Sequence, residues 1–310
     1  MYKKVKSFLI KALSKKIAFC SRHKESALFI PPIAWLFLFL VLPLVLVLKI
    51  SLSKYIISFP PYSQMFAWTE EAVFHITLHF ENFQILFKDE LFIFAYWESF
   101  KVALFSTCIS LCLAYPMSLA LVRLSLTQQV FSLVLLTIPF WTSFLLRIYA
   151  WIVILSPFGP LNNILLALKI IDTPIMLLNT PFSNIIGMVY CYLPFMIFPL
   201  YNSLRKLDTS YEEAALDLGC RPFKAFWLIT LPLTKSGIMT GCFISFIPMF
   251  GEFIIPELLG PDDSIMIGKL IWLDFFSNRD WPMAAATTIT ILTFLIIPVI
   301  IMNKIEENTQ

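Results

Sequence analysis

Charge is scarce in this chain: Asp, Glu, Lys and Arg together make up 14% of 310 residues, too little to solvate an ordinary globular surface. Histidine is scarcer, with only His23, His75 and His79. None of them lies in an apolar run, so an enzyme working inside the membrane would lack its usual metal ligand or base. Glycine is sparse as well. None of the eight glycines stands five positions from another, which excludes the phosphate-cradling loop Gly-x4-Gly-Lys-Ser/Thr. The chain does not hydrolyse ATP by that route. The six cysteines (Cys20, Cys108, Cys112, Cys191, Cys220, Cys242) fall in apolar runs or in segments assigned below to the cytoplasm, so they imply no disulfide framework.

Apolar residues are abundant, at 59%. They gather in runs near the length that crosses a hydrocarbon core of about 30 Å. Six runs, at about 27–50, 98–122, 131–155, 184–204, 237–259 and 283–302, predict an all-α polytopic membrane protein with six spans in a single domain over 27–303. A basic arm precedes it (1–26) and a short tail follows (304–310). The arm carries eight Lys/Arg against one acid, but the run after it is too long for a secretory signal core and ends in no small-residue cleavage site. It reads as a retained first span.

Orientation follows from basic residues. The arm, the turn at Arg123, the loop 205–236 and the tail hold fifteen Lys/Arg, and the three opposite loops hold five. Both termini and the loop 205–236 are therefore expected in the cytoplasm. The opposite loops are acidic, which biases the outer face mildly toward cations.

Within 205–236 stands EAALDLGCRPFKAFWLITLP (213–232). Asp208, Thr209 and Ser210 can cap a helix whose first turn holds Glu212 and Glu213, where the macrodipole favours negative charge. Gly219 is a natural helix stop, and Pro222 suits the start of the next helix. Ala214 and Ala215 leave a small-residue face that another protein can approach closely, flanked by Arg221 and Lys224. The segment predicts helix, glycine turn, helix: a knob for a socket.

Charges inside spans mark candidate pathways, because each is costly there or needs a partner. Arg147 and Glu252 sit about sixteen and fifteen residues into two spans that both run outward, so they are expected at similar depth. They are expected to pair or to flank one cavity, with Glu252 and Glu257 helping a cationic solute through; a purely structural ion pair is the open alternative. Prolines at 43, 116, 139, 194, 199, 248, 256 and 298 should kink spans. Gly237 and Gly241 suggest a close helix contact. In the first outer loop, residues 78–87 predict a short amphipathic helix, and His75 and His79 with Glu70, Glu71 and Glu81 lack a clear third ligand, so no metal site is assigned. The last outer loop predicts an amphipathic helix with Ile265, Lys269, Trp272 and Phe276 on one face. It offers Asp262, Asp263, Asp274 and Asp280 to an external partner, or simply braces the last two spans.

Glu213-Ala214-Ala215, Gly219, Ile229 and Leu231-Pro232 carry the spacing of the loop by which permease subunits of type I ABC importers dock on their ATPase. The stretches PFWTSFLLRIYAWI (139–152), EEAALDLGCRPFKAF (212–226), IPMFGEFIIPELLGPDDSIMIGKLIW (247–272) and NRDWPMAAA (278–286) resemble the spermidine/putrescine permeases, of the first of their two subunit types. The resemblance implies the type I permease fold with a cytoplasmic coupling-helix loop. It also implies an assembly in a bacterial inner membrane: two homologous permeases, an ABC ATPase dimer that binds ATP and Mg, and an external solute-binding protein. The chain itself is expected to hold no cofactor and to bind no nucleic acid. Permeases for iron, thiosulfate and other solutes share the loop signature, so the solute stays open. An ion-coupled secondary transporter is the rival class, but no repeated half is visible.

Overall fold

The computed structural model describes residues 29–63, 65–68 and 74–307. The arm 1–26, Glu70, Glu71, the His75 side chain and the last three residues lie outside that description. Among the described residues the regular elements are helices apart from one antiparallel ribbon, β1 (Phe66–Trp68) paired with β2 (Phe74–Ile76), and an isolated bridge between Tyr55 and Tyr62.

Helix α1 (Phe29–Ser51) buries only Ser51 and packs chiefly along the last helix, α13 (Trp281–Glu307). Most of its apolar side chains point outward, as a lipid-facing span requires, while Leu44, Val47 and Ile50 are half-buried. A π-helical turn, Phe37–Val41, covers Phe39, whose carbonyl cannot receive an N–H from Pro43. Helix α2 (Glu81–Lys88) is the amphipathic helix expected in the segment after α1, and it is held by Leu86, which is buried against the core.

The bundle is built on α3 (Glu90–Arg123), α7 (Pro181–Arg205) and α10 (Lys235–Phe250), which pack on one another. The reason is side-chain size. The buried stripe of α3 runs Ala95, Ser99, Ala103, Ser106, Ser110, Ala114, Ser118, so neighbouring backbones can approach closely where lipid gives no hydrophobic drive. On α10, a Cβ at Gly237 would lie 2.4 Å from Ser203 Cβ, and one at Gly241 would lie 2.8 Å from Met196 Sδ. The two glycines therefore bring α10 against α7. Arg123, Arg205 and residues 206–236 define the loop end of this bundle; Glu90 and Pro181 lie at the far end.

Two segments read as continuous spans are broken. The third is α4 (Leu126–Trp141) and α5 (Phe144–Leu155), separated by extended Thr142 and Ser143; α6 (Pro160–Ala167) follows. The fifth is α10 up to Phe250, then α11 (Ile254–Leu259) after a break at 251–253. Pro248, Gly251 and Pro256 crowd this break, and each weakens helical continuity. At its other end α10 meets α9 (Pro222–Leu233) at a 67° bend centred on Thr234. Within α9 the π turn Phe226–Thr230 contains Leu228, four residues before Pro232, the same relation seen at Pro43. Helix α12 (Ile267–Trp272), extended by the π turn Leu273–Ser277, differs from expectation. Its buried residues are Ile267, Gly268 and Leu270; Ile265 lies ahead of the helix and is partly buried against the core, while Trp272 and Phe276 meet at 5.6 Å. Gly268 explains the register, since a Cβ there would lie 2.5 Å from the Gly251 carbonyl.

Candidate functional site

The loop end carries a protruding helix, α8 (Ser210–Asp217). Asp208 starts it: the Ser210 N–H donates to Asp208 Oδ1 (3.0 Å). That bond, with the Ser210 hydroxyl, holds the Asp208 carboxyl below its ordinary value. Gly219 ends it. At φ +80° it turns the chain so that the Gly219 N–H donates to the Leu216 carbonyl (2.9 Å) and the Cys220 N–H to the Ala215 carbonyl (3.0 Å). These are the two bonds of a Schellman close. Arg221 then caps α9, its carbonyl accepting from Lys224 and Ala225 N–H (both 2.9 Å).

The surface of this knob is unusual for a loop. Leu218 is 89% and Phe223 75% exposed, with Tyr211 also outward. Glu213, Ala214, Gly219, Arg221 and Lys224 are exposed around them, and Ala215 is half-buried. Large apolar side chains held out on a rigid turn mark an interaction surface. Glu212 instead reaches back, 3.9 Å from Arg123 at the end of α3. So exposed a pair adds little energy, but it sets α8 beside the bundle.

The knob is connected mechanically to the spans. Thr234, at the 67° bend, is fully buried. Its Oγ1 lies 2.8 Å from Tyr115 Oη on α3 and donates to the Thr230 carbonyl (2.8 Å). The Tyr115 ring also meets Phe226 edge-on at 5.4 Å. This joint has no local signal in the sequence, since its partners lie 119 positions apart.

A second constellation surrounds the break at 251–253. Glu252 Oε1 accepts the N–H groups of Phe253 (3.0 Å) and Ile254 (2.9 Å), donors at the amino end of α11 that otherwise have no helical partner. Tyr192 on α7 donates its hydroxyl to Glu252 Oε2. The other end of α11 is tied to the same helix: Ser183 Oγ donates to the Leu259 carbonyl, and a Cβ at Gly187 would lie 2.5 Å from Leu259 Cδ1. Arg147 does not pair with Glu252. Its guanidinium sits over the rings of Phe140 (5.0 Å) and Phe144 (5.5 Å), and its Nε is buried without a partner. Phe144 and Phe140 precede Arg147 by three and seven positions, the spacing of one helix face, and lie on either side of the break at 142–143. Both charges nonetheless lie near α7, Glu252 through Tyr192 and Arg147 through Phe140, whose ring meets Phe195. Phe195 adds an aromatic wall, 5.3 Å from Phe140 and 6.1 Å from Tyr192. Glu257 is apart from this group, paired with Lys269 at 2.8 Å.

Of the four acids offered to an external partner, Asp262 and Asp263 are exposed. Asp274 and Asp280 turn inward instead. Asp280 Oδ1 accepts the Met283 N–H (3.0 Å) and so caps α13. Asp274 Oδ1 accepts from Asn278 (3.0 Å), while its Oδ2 is buried without a partner. Burial is the main force pushing the Asp274 carboxyl above its ordinary value; the Asn278 bond opposes it and the Asp280 charge adds to it. Among the described residues no group of three His, Cys, Asp or Glu side chains could hold a metal.

A bundle of membrane-length helices with one rigid knob at its loop end defines a multi-pass membrane transport component. The chain belongs to the family described as binding-protein-dependent transport system inner membrane components, whose model matches residues 26–308. It is 43% identical over 203 residues to the spermidine/putrescine transport system permease protein PotB of Escherichia coli (strain K12), covering 66% of this chain and 74% of that protein. It is 38% identical over 226 residues to the protein of the same name from Haemophilus influenzae, covering 72% and 78%. In fold it is similar to a chain of a bacterial alginate ABC transporter, crystallised in complex with an alginate pentasaccharide-bound periplasmic protein. The TM-score is 0.71 at 18% identity, covering 94% of this chain and 97% of that one.

Proposed function

We propose that this chain is a permease subunit of an ATP-driven importer of polyamines, forming the solute path by alternating access. The observation that carries the ATP-driven part is the knob: α8 and the start of α9, joined at Gly219, present Ala214, Leu218 and Phe223 outward, and α9 is joined through Thr234 and Tyr115 to the spans. Polyamines are favoured by the relatives named for spermidine and putrescine transport and by the chemistry around Glu252, where a carboxylate stands beside Tyr192 and Phe195. Anionic and aromatic groups together attract organic ammonium ions.

In this reading both termini and the knob are cytoplasmic. Glu212, Glu213, Ala214, Ala215, Gly219, Arg221 and Lys224 meet an ABC ATPase dimer, which holds the ATP and Mg. A second permease completes the path, and an external binding protein delivers the solute to the far end, where Asp262 and Asp263 are exposed. Asp274 and Asp280 shape that end from within. Closure of the ATPase dimer moves the two permease knobs together and switches the spans between two packings. Arg147 and Glu252 border the path, and Glu257 stands toward its far end.

Cysteines placed at Ala214 or Ala215 are expected to crosslink to the ATPase, and labelled spermidine or putrescine uptake into vesicles is expected to require ATP. Failure to crosslink with uptake intact overturns the docking assignment. Glu252→Gln keeps an acceptor for the Phe253 and Ile254 N–H groups while removing the charge. It is expected to lower uptake without loss of assembly, and unchanged uptake removes Glu252 from the path.

A further inference from the structure

At the far end, away from the Glu252 group, α3, α7 and the turn after α11 enclose a cavity of about 210 Å³. Glu98 comes from α3, Asn184 from the first turn of α7, and Asp263 from the turn, while Phe94 and Ile185 supply apolar wall. Asn184 is 2% exposed, and its Oδ1 is fully buried with no hydrogen-bond partner. An unpaired buried acceptor is destabilising, and a ligand bearing N–H groups removes that cost.

We propose that this cavity binds the primary ammonium end of an alkylamine. The charge count fits a single positive charge. Glu98 and Asp263 contribute two negative groups, and Lys101, 2.5 Å from Glu98 Oε2, compensates one of them. An ammonium offers three N–H donors, matching oxygens from Glu98, Asn184 and Asp263. A divalent metal does not fit as well: two carboxylates, one already held by a lysine, are a poor set for it, whereas the apolar wall suits an alkyl stem. Sequence reading placed Asp263 on an outward-facing surface and left Glu98 and Asn184 unused; the fold makes them one pocket.

The pocket deepens the polyamine reading, on which it rests only for the biological source of the amine. That source is either the imported solute, meeting the permease at its far end, or the headgroup of an aminophospholipid. Calorimetric titration of the assembled importer, in phosphatidylcholine nanodiscs and without the external binding protein, separates these possibilities. Both 1,4-diaminobutane and n-butylammonium are expected to bind saturably, with sodium chloride at equal ionic strength not competing. Asn184→Leu and Asp263→Asn should each weaken binding tenfold or more, with unfolding temperature checked for both. Loss of the signal in phosphatidylethanolamine nanodiscs identifies the lipid as occupant, and persistence identifies the soluble amine; either supports an ammonium site. No binding to the unmodified importer, or wild-type binding by both folded variants, overturns it. Missing binding with polyamine uptake intact rejects the pocket alone, whereas binding without polyamine uptake rejects the solute assignment and leaves the pocket standing.

Discussion

Tyr115 Oη lies 2.8 Å from Thr234 Oγ1, so a residue deep in α3 holds the bend at which α9 becomes α10. The loop and the bundle are thereby one mechanical unit. Tyr115→Phe removes only the hydroxyl and leaves the ring against Phe226. The expected cost is about 1 kcal/mol of stability, the usual worth of one hydrogen bond. Uptake should fall more than ATP hydrolysis in the assembled importer, because force at the knob is then transmitted less faithfully. Parallel measurement of hydrolysis and uptake checks this; equal losses would assign the bond to stability alone.

Gly237 and Gly241 both line the α7–α10 contact, yet they should respond differently to alanine. A Cβ at 237 meets Ser203 Cβ at 2.4 Å and the Pro199 carbonyl at 3.0 Å, atoms that cannot step aside. At 241 the nearest atom is the flexible Met196 Sδ at 2.8 Å. Gly237→Ala is expected to cost ~1–3 kcal/mol as an overpacked contact, and Gly241→Ala clearly less. Thermal unfolding in detergent orders the two variants, and the reverse order would refute the packing argument.

Gly219 stands at φ +80° with nothing within 4 Å of a Cβ. Its substitution is therefore a purely conformational matter. Gly219→Ala should cost about 1–2 kcal/mol through the left-handed backbone, loosening the knob while the spans stay intact. The expected readout is weaker capture of the ATPase with an unchanged unfolding temperature of the bundle. Full ATPase capture would show that the turn is not required.

Asp274 supplies a pH test. Its folded carboxyl titrates above the ordinary value of 3.8, chiefly because of burial. Between the ordinary and the raised value, the folded state keeps a proton that the unfolded state has lost. Stability therefore falls as pH rises through that window, and the penalty is complete above it. Asp274→Asn retains an acceptor for Asn278 and removes the ionisation. The variant should gain on the parent from pH 4 to pH 7 in unfolding temperature; parallel curves would contradict the burial argument.

The knob was legible in the sequence because its determinants are local. Glu212 and Glu213 in a first turn, a glycine stop and a proline start act within a few residues of one another, and the structure shows that same order of helix, turn and helix. The Gly237–Gly241 contact was legible for a similar reason, since small residues four apart share one helix face. Of the two arrangements expected for Arg147 and Glu252, pairing or flanking one cavity, the pairing is not met. Counting residues along two helices assumed they were straight, but Thr142–Ser143 and Gly251–Phe253 interrupt both; Arg147 lies over Phe140 and Phe144, and Glu252 is taken up by its own backbone and Tyr192.

What the sequence by itself determined is the set of apolar runs, the uneven spread of basic residues between the connecting segments and the helix–glycine–helix spacing of 213–232, because composition and short-range spacing govern membrane insertion and local turns. Only the tertiary structure decided which side chains come together across helices: Tyr115 bonds to Thr234 and Tyr192 to Glu252, and Glu98, Asn184 and Asp263 line one cavity. Those meetings depend on how closely small residues let α3, α7 and α10 approach and on where two spans break, and neither can be counted along a single chain.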